Sequence, residues 1–463
     1  MRLALARLAV GLSTAVALLP TVGAAQGFGV YEQGACVMGR AGTGVASPCQ
    51  DGSSIFFNPA NIATTSDVVS LGGTLIAPRG GFTNDLTGIR GDLEDKVYPI
   101  PNVYLVKGRA LSGAVDRVAV GLGLFAPFGL STEWPTTFEG RFLGYKSVIR
   151  AIYLQPTAAI RIGGRASIGA GLDLNFAHVE LRQRIDLSSQ TAAPGVTFAN
   201  LGVAPGTDFA DADLSANATR LGFHIGLSAN LAKGLDVGIR YMSKQTVTFS
   251  DGTVTITQVP TNLVVPAALP GIPAQTPVDQ IVAPQFQAGG PLTNQRATAV
   301  VKLPDQLVFG LAYTPFERAR LLADVQWTHW KVFDQVPITF ASLPPETLQQ
   351  DNQNVWGLRF GGEYDLSQSF TLRAGYYTHR AAAPDYAVIP NLPEGGRSSV
   401  TAGIGTRIGR GLRLDAAYQY IDQADRRGRT TPFNPLATPL SAQNNGLYTF
   451  HAHLFGATIS YAF

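Results

Sequence analysis

From Ser167 to Phe176 the chain alternates strictly. Ile168, Ala170, Leu172, Leu174 and Phe176 are apolar, whereas Ser167, Gly169, Gly171, Asp173 and Asn175 are small or polar. A period of two belongs to a β-strand with one apolar face. The pattern returns at Leu221, Phe223, Ile225 and Leu227 against Gly222, His224, Gly226 and Ser228. After the turn Ala232-Lys233-Gly234 it returns at Leu235, Val237, Ile239 and Tyr241 against Asp236, Gly238, Arg240 and Met242. In a membrane barrel the apolar set faces lipid and the other set faces the lumen.

Reading on gives fourteen such segments, centred near Leu71, Tyr104, Leu122, Leu154, Leu172, Ile225, Ile239, Phe309, Val325, Leu358, Leu372, Ile404, Leu414 and Ile459. An even count suits a single-chain bacterial barrel. Connections alternate in length. Arg161–Arg165, Asp365–Gln368 and Gly409–Gly411 are short, and 183–219 and 251–302 are long. Short turns belong at the periplasmic face and long loops outside. The last strand carries Phe455, Ile459, Tyr461 and the terminal Phe463 on one face, which resembles the assembly signal of outer-membrane barrels.

The start of the chain reads as an export signal. Arg2 and Arg7 precede the apolar stretch Leu8–Leu19, Pro20 ends it, and Val22–Ala25 offers cleavage after Ala24 or Ala25. The competing reading, a membrane anchor, lacks length and a cationic stop. Elsewhere no run of about 18 apolar residues occurs, so no helix can span a bilayer. A closed barrel is the remaining way to satisfy backbone groups in hydrocarbon. Charged residues make up only 14%, against roughly 25% in soluble domains. The net charge of +3 falls near +1 without Arg2 and Arg7, and no basic block supports nucleic-acid binding.

Cys36 and Cys49 are the only cysteines. An exported chain meets an oxidising compartment, so a disulfide is expected, worth about 3 kcal/mol by chain entropy. Two free thiols are the alternative. The pair does not make a zinc site.

Residues 26–65 do not alternate. Gly39–Ala46 is small and flexible, and Ser53-Ser54-Ile55-Phe56-Phe57-Asn58-Pro59-Ala60 follows. A phosphate-cradling loop would need a strand before the glycines, a helix after them and a Gly-Lys-Ser/Thr or three-glycine fingerprint, none of which is present. A plug filling the lumen accounts for the segment better.

Glu32-Gln33, Gly39-Arg40-Ala41 and Ser53–Ala60 resemble the hatch of the FadL family of outer-membrane fatty-acid transporters (OmpP1/FadL/TodX-like), with Asn58-Pro59-Ala60 as its motif. Ala126–Leu130 with Glu133-Trp134, Leu303-Pro304-Asp305 leading to Gly310–Tyr313, Asp324–Trp327 with Trp330, Leu372–Tyr376, and Leu392-Pro393 with Arg397 extend the match along the chain. The Cys36/Cys49 pair is not part of that pattern. The expected fold is all-β: a 14-stranded antiparallel transmembrane β-barrel with an N-terminal lumenal hatch. The expected domains are 1–25 signal peptide, 26–65 hatch and 66–463 barrel.

The resemblance implies passive transport of long-chain fatty acids or similar hydrophobic molecules, with aromatic hydrocarbons of toluene or xylene type as the alternative cargo. It implies capture by outer loops, here those with Leu263-Val264-Val265, Ala267-Ala268-Leu269 and Ile272. Transfer to a lumenal apolar pocket beside Ile55, Phe56 and Phe57 follows. Exit is then sideways past strand three, marked by Gly121, Gly123 and Pro127, where Asn58-Pro59-Ala60 is expected to dock. Pro99 and Pro101 on or near strand two, like Pro127, cannot donate ladder hydrogen bonds. Alternation places Arg150, Arg240, Lys244, Arg359, Arg373, Arg407 and Arg413 inward. Arg150, Arg240 and Arg373 are the candidate carboxylate partners. A general porin would need an open lumen, which the plug opposes. Six scattered histidines and no Gly-x-Ser-x-Gly argue against an enzyme. No metal or cofactor is expected. Expected partners are a hydrophobic ligand and outer-membrane lipid and lipopolysaccharide, with the chain a monomer.

Overall fold

The computed structural model describes residues 27–193, 195–268, 271–428 and 444–463. The expected signal peptide and Leu269 lie outside them. Fourteen antiparallel strands close into a barrel. They are β1 (Val68–Asn84), β2 (Tyr98–Ala110), β3 (Val115–Glu133), β4 (Lys146–Ile162), β5 (Ala166–Ile185) and β6 (Ala210–Ala232). Four interrupted strands follow: β7 (Leu235–Met242, Gln245–Gln258), β8 (Gln295–Leu303, Gln306–Phe316), β9 (Ala319–Thr328, Gln335–Phe340) and β10 (Glu346–Gln349, Val355–Asp365). The last are β11 (Phe370–His379), β12 (Arg397–Ile408), β13 (Leu412–Gly428) and β14 (Gly446–Ala462). β14 pairs with β1 from Asn84↔Gly446 to Val68↔Ala462, which leaves no free sheet edge at the seam. All fourteen segment centres read from the sequence fall in these strands.

The wall is inside-out relative to a soluble barrel. Leu71, Val120, Leu221, Phe223, Phe360 and Phe455 are exposed on the outer face. So much apolar surface is untenable in water and fits a hydrocarbon belt. The outer strands run further than the alternation indicated. β5 and β6 end and begin at Ile185 and Ala210, and β7 and β8 at Gln258 and Gln295, so the two long connections are 186–209 and 259–294. The added segments stand above the belt, where cross-strand ion pairs such as Arg182–Asp213 (2.9 Å) and Lys146–Glu180 (2.8 Å) replace apolar side chains. Ladder pairing continues there without the apolar period.

Residues 27–67 pack inside the lumen. Two single-turn helices, α1 (Ala35–Met38) and α2 (Ser54–Phe57), and a 3-10 turn at Pro59–Ala63 carry the segment, and Cys36 is bonded to Cys49. Asn58 starts the 3-10 turn, its Oδ1 accepting from Ala60 N at 3.1 Å. Its Nδ2 donates to Val45 O (2.8 Å) within the segment and to Leu227 O (2.9 Å) on β6. The turn rests on wall glycines. A Cβ on Gly169 would stand 2.5 Å from the Pro59 carbonyl, and one on Gly226 would overlap Asn58 Oδ1. Asn58-Pro59-Ala60 therefore docks on β5, β6 and β7 rather than on strand three. Gly121 and Gly123 of β3 receive Ile55 instead, because the α2 turn projects that side chain to one side and the 3-10 turn carries the chain across to the other.

Candidate functional site

Three cavities with shared walls lie in line between the outer loops and β3. The outermost, about 480 Å³, is apolar along Leu187, Leu214, Ile256, Leu292, Phe340 and Leu343. The second is a waist of about 50 Å³, and Leu181, Leu214, Ile338, Leu348 and Asn391 line both. Leu130, Ile149 and Leu392 line both the waist and the third cavity, which holds about 490 Å³. The third touches Val30, Ile76, Ile421 and Leu454 inside and reaches Tyr98–Ile100 and Gly129–Glu133 in the wall.

At that place the wall is not paired. The β2–β3 ladder runs from Ala110↔Arg117 to Val103↔Leu124 and stops. Above it, Tyr98–Asn102 pair with β1 and Phe128–Glu133 pair with β4, but not with each other. Glu94 N to Glu133 O (2.8 Å) and Lys96–Glu133 (2.6 Å) bridge the top. The result is a window bounded above and below. Its cause is a bulge in β3 between Phe125 and Phe128 that contains Pro127, which has no N–H to donate. Pro99 and Pro101 of β2 likewise offer none.

The N-terminal segment takes the vacated edge. Val30 N donates to Pro127 O, and Gly129 N to Phe28 O, both at 2.9 Å, and Gln33 Nε2 donates to Ala126 O at 2.7 Å. Phe28 is held by Trp330 and Phe333, with ring centroids at 4.8 and 5.1 Å. Trp330 reaches the lumen because β9 breaks between Thr328 and Gln335 and a 3-10 turn folds it inward. Glu394, in the outer connection after β11, closes the set. It accepts from Ala382 N (3.0 Å), Ala383 N (3.1 Å) and Gly27 N (3.3 Å). Burial raises its carboxyl above the usual range against the pull of those N–H groups. A raised folded-state value makes its stabilising share complete below the ordinary carboxylate range, and that share is lost as pH rises through the raised value. Thermal unfolding across the mildly acidic range should show this decline, and Glu394→Gln should flatten it. An unchanged slope in the variant would remove Glu394 as its source.

The candidate cations do not converge. Arg150 is exposed on the outer face. The lumenal phase of β4 is Ala151, Tyr153, Gln155 and Thr157, all buried, so the inward placement of Arg150 was one residue out of step. It stands outside the window, at the rim of the third cavity. Lys244 is also exposed, at the break in β7. Arg373 is buried in ion pairs with Glu363 (2.9 Å) and Asp415 (2.8 Å). Arg240 is buried against Phe56, 4.5 Å from its ring, and donates to Gln306 Oε1 at 2.6 Å. Neither of the last two lines the three cavities.

Ile55, Phe56 and Phe57 are buried between hatch and wall, Phe56 against Phe125 at 5.2 Å. In the outer connection Val265 is buried, and Leu263 and Val264 are exposed away from the groove. That connection lines the groove with Gln285, Pro291 and Leu292 instead. Sequence reasoning missed Ile338, Phe340, Leu343 and Leu348 of the β9–β10 arm, and Glu394. The adjacency of Glu394 to Leu392-Pro393 was the available signal.

Residues 16–463 match the family described as outer membrane protein transport protein (OMPP1/FadL/TodX). The chain belongs to this family. It is an outer-membrane transport protein of FadL type, from the Gram-negative envelope. It is 22% identical to the long-chain fatty acid transport protein of Salmonella typhi, over 98% of each chain. The fold is that of a Pseudomonas aeruginosa FadL homologue (TM-score 0.75, 20% identity, 95% of this chain and 100% of that one). The Pseudomonas putida toluene transporter TodX shares it too (TM-score 0.64, 18% identity, 94% and 99%).

Proposed function

We propose that this FadL-type barrel carries long-chain fatty acids or similar hydrophobic molecules from outside into the outer membrane. The observation that carries the reading is the line of three cavities, the first two apolar and the third apolar with charged residues on its rim, ending at the unpaired β2–β3 edge. Each CH₂ taken from water is worth about 0.8 kcal/mol, so an acyl chain is drawn into the outer groove. From there it crosses the waist into the third cavity. Displacing residues 27–33 vacates the β3 edge and opens the window sideways. The rest of the hatch stays, held by the Cys36–Cys49 bond, by Gly44 and Val45 N–H on Asp324 (3.1 and 3.3 Å), and by Asn58. Lateral release delivers the cargo to lipid and lets it avoid water.

A flat aromatic hydrocarbon is the second reading, supported by the apolar lining of the same cavities and by the fold shared with the toluene transporter TodX. Uptake of labelled oleate and of toluene by cells with and without the protein separates the two. Oleate uptake should depend on the protein. Dependence of toluene alone would establish the second reading, and dependence of neither would refute transport. Steady large ion currents from the reconstituted barrel would instead mark a porin.

A further inference from the structure

The periplasmic end of the lumen has its own chemistry. Below the hatch lies a polar cavity of about 360 Å³, separate from the apolar route. Arg161, Arg165, Arg320, Arg373, Arg407 and Arg413 line it, against the carboxylates of Asp236, Glu363 and Asp365. These side chains come from the periplasmic ends of the strands. The hatch contributes Ser47, Gln50 and Thr64 to its roof.

The ion pairs on this wall do not balance. Glu363 accepts from Arg40 (2.9 Å), Arg373 (2.9 Å) and Arg320 (3.1 Å). Asp415 accepts from Arg373 (2.8 Å) and Arg413 (2.9 Å). Four guanidinium groups thus share two carboxylates, and Arg40, Arg373 and Asp415 are almost wholly buried. Asp51, whose charge also reaches Arg40 and Arg413, halves that excess. Arg165 and Arg407, exposed on the rim, form no ion pair among the described residues, and Asp236 and Asp365 on the same lining offset them, which leaves one guanidinium in excess. A net positive charge at a cavity with low-dielectric walls attracts a counter-ion, and Arg407 stands directly across the ladder from Arg413. Guanidinium forks match the oxygens of phosphate and carboxylate groups, and the matched pairs are the strong ones.

We propose that this periplasmic vestibule is a binding site for a phosphate-type dianion, held by Arg407 and Arg413 from the wall, with hatch hydroxyl and amide groups above it. Free phosphate and a phosphomonoester share this chemistry. A bound dianion bridges hatch to wall through the Glu363–Arg40 contact region and secures the part of the hatch that does not move. This site is independent of the cargo, so it stands or falls separately from the transport reading.

The test is calorimetric titration of the purified full-length barrel with inorganic phosphate, at ionic strength held constant with chloride. Wild type should bind one equivalent, and phosphate should raise its unfolding temperature, as any ligand selective for the folded state does. Arg407→Gln, at an exposed position without an ion pair among the described residues, should fold as wild type and bind about tenfold more weakly or worse. Arg296→Gln, a cation at the opposite end of the barrel, should leave binding unchanged. Glycerol 3-phosphate binding more tightly than phosphate would assign the site to a phosphomonoester, and the reverse to the free ion. Absence of phosphate binding above the chloride control, or an equal loss in the Arg296 variant, would overturn the proposal.

Discussion

Val30→Cys/Gly129→Cys, once oxidised, is expected to reduce oleate uptake to that of cells lacking the protein. A Cβ on Gly129 would lie 3.5 Å from a Val30 methyl carbon, so the two thiols start within bonding reach. The bond would tie the segment 27–33 to the β3 edge that it must leave for the window to open. Barrel assembly should be normal, because the lock preserves the closed arrangement. Reductant should restore uptake. It would also open Cys36–Cys49, so the single Val30→Cys variant under reductant is the control. Full uptake through the oxidised double variant would show that residues 27–33 do not gate the route.

The second large effect is Gly226→Val. The new side chain would occupy the place of Asn58 Oδ1 and press on Pro59 Cδ, where even a Cβ comes within 2.8 Å. The obstructed atoms belong to a turn pinned by three hydrogen bonds of Asn58, so they cannot shift cheaply. Overpacking of this kind costs about 1–3 kcal/mol, and each hydrogen bond lost with a buried partner costs about 1–3 kcal/mol more. The outer strands keep their ladders, so the barrel should still assemble while the hatch is dislodged. Reconstituted in planar bilayers, Gly226→Val should show ion conductance far above wild type. Wild-type conductance with an intact barrel would mean that the hatch tolerates the clash.

The wall was largely legible because lipid imposes a rule at every second position. Leu71, Leu172 and Ile459 announce their strands whatever their neighbours do. The rule weakens at the edge of the belt, and that is where Arg150 was misplaced: it shares the phase of Val148, Ile152 and Leu154, so alternation carried through sets it outward despite its charge. The hatch motif could be found in Asn58-Pro59-Ala60, but its seat could not. Gly121 and Gly123 look the same in sequence as Gly169 and Gly226, and only packing decides which pair receives Ile55 and which receives Asn58 and Pro59. The gate is least legible of all. It joins Gly27 to Glu394, which are 367 residues apart, and rests on breaks in β7 to β10 that no periodicity encodes.

The seam between β1 and β14 has a kinetic consequence. Residues 27–67 precede the first strand, yet their backbone lies against glycines as far along the chain as Gly403 of β12 and Gly456 of β14. Nearly every contact of the hatch with the wall is therefore remote in sequence, the arrangement that folds slowly because chain closure precedes its reward. A segment seated against so many strands is most cheaply placed while the sheet is still open. The zipping of Val68–Asn84 onto Gly446–Ala462 then makes the enclosure permanent. Maturation thus has a natural order, contents first and container last, and a chain that closes early would be trapped as an empty cylinder.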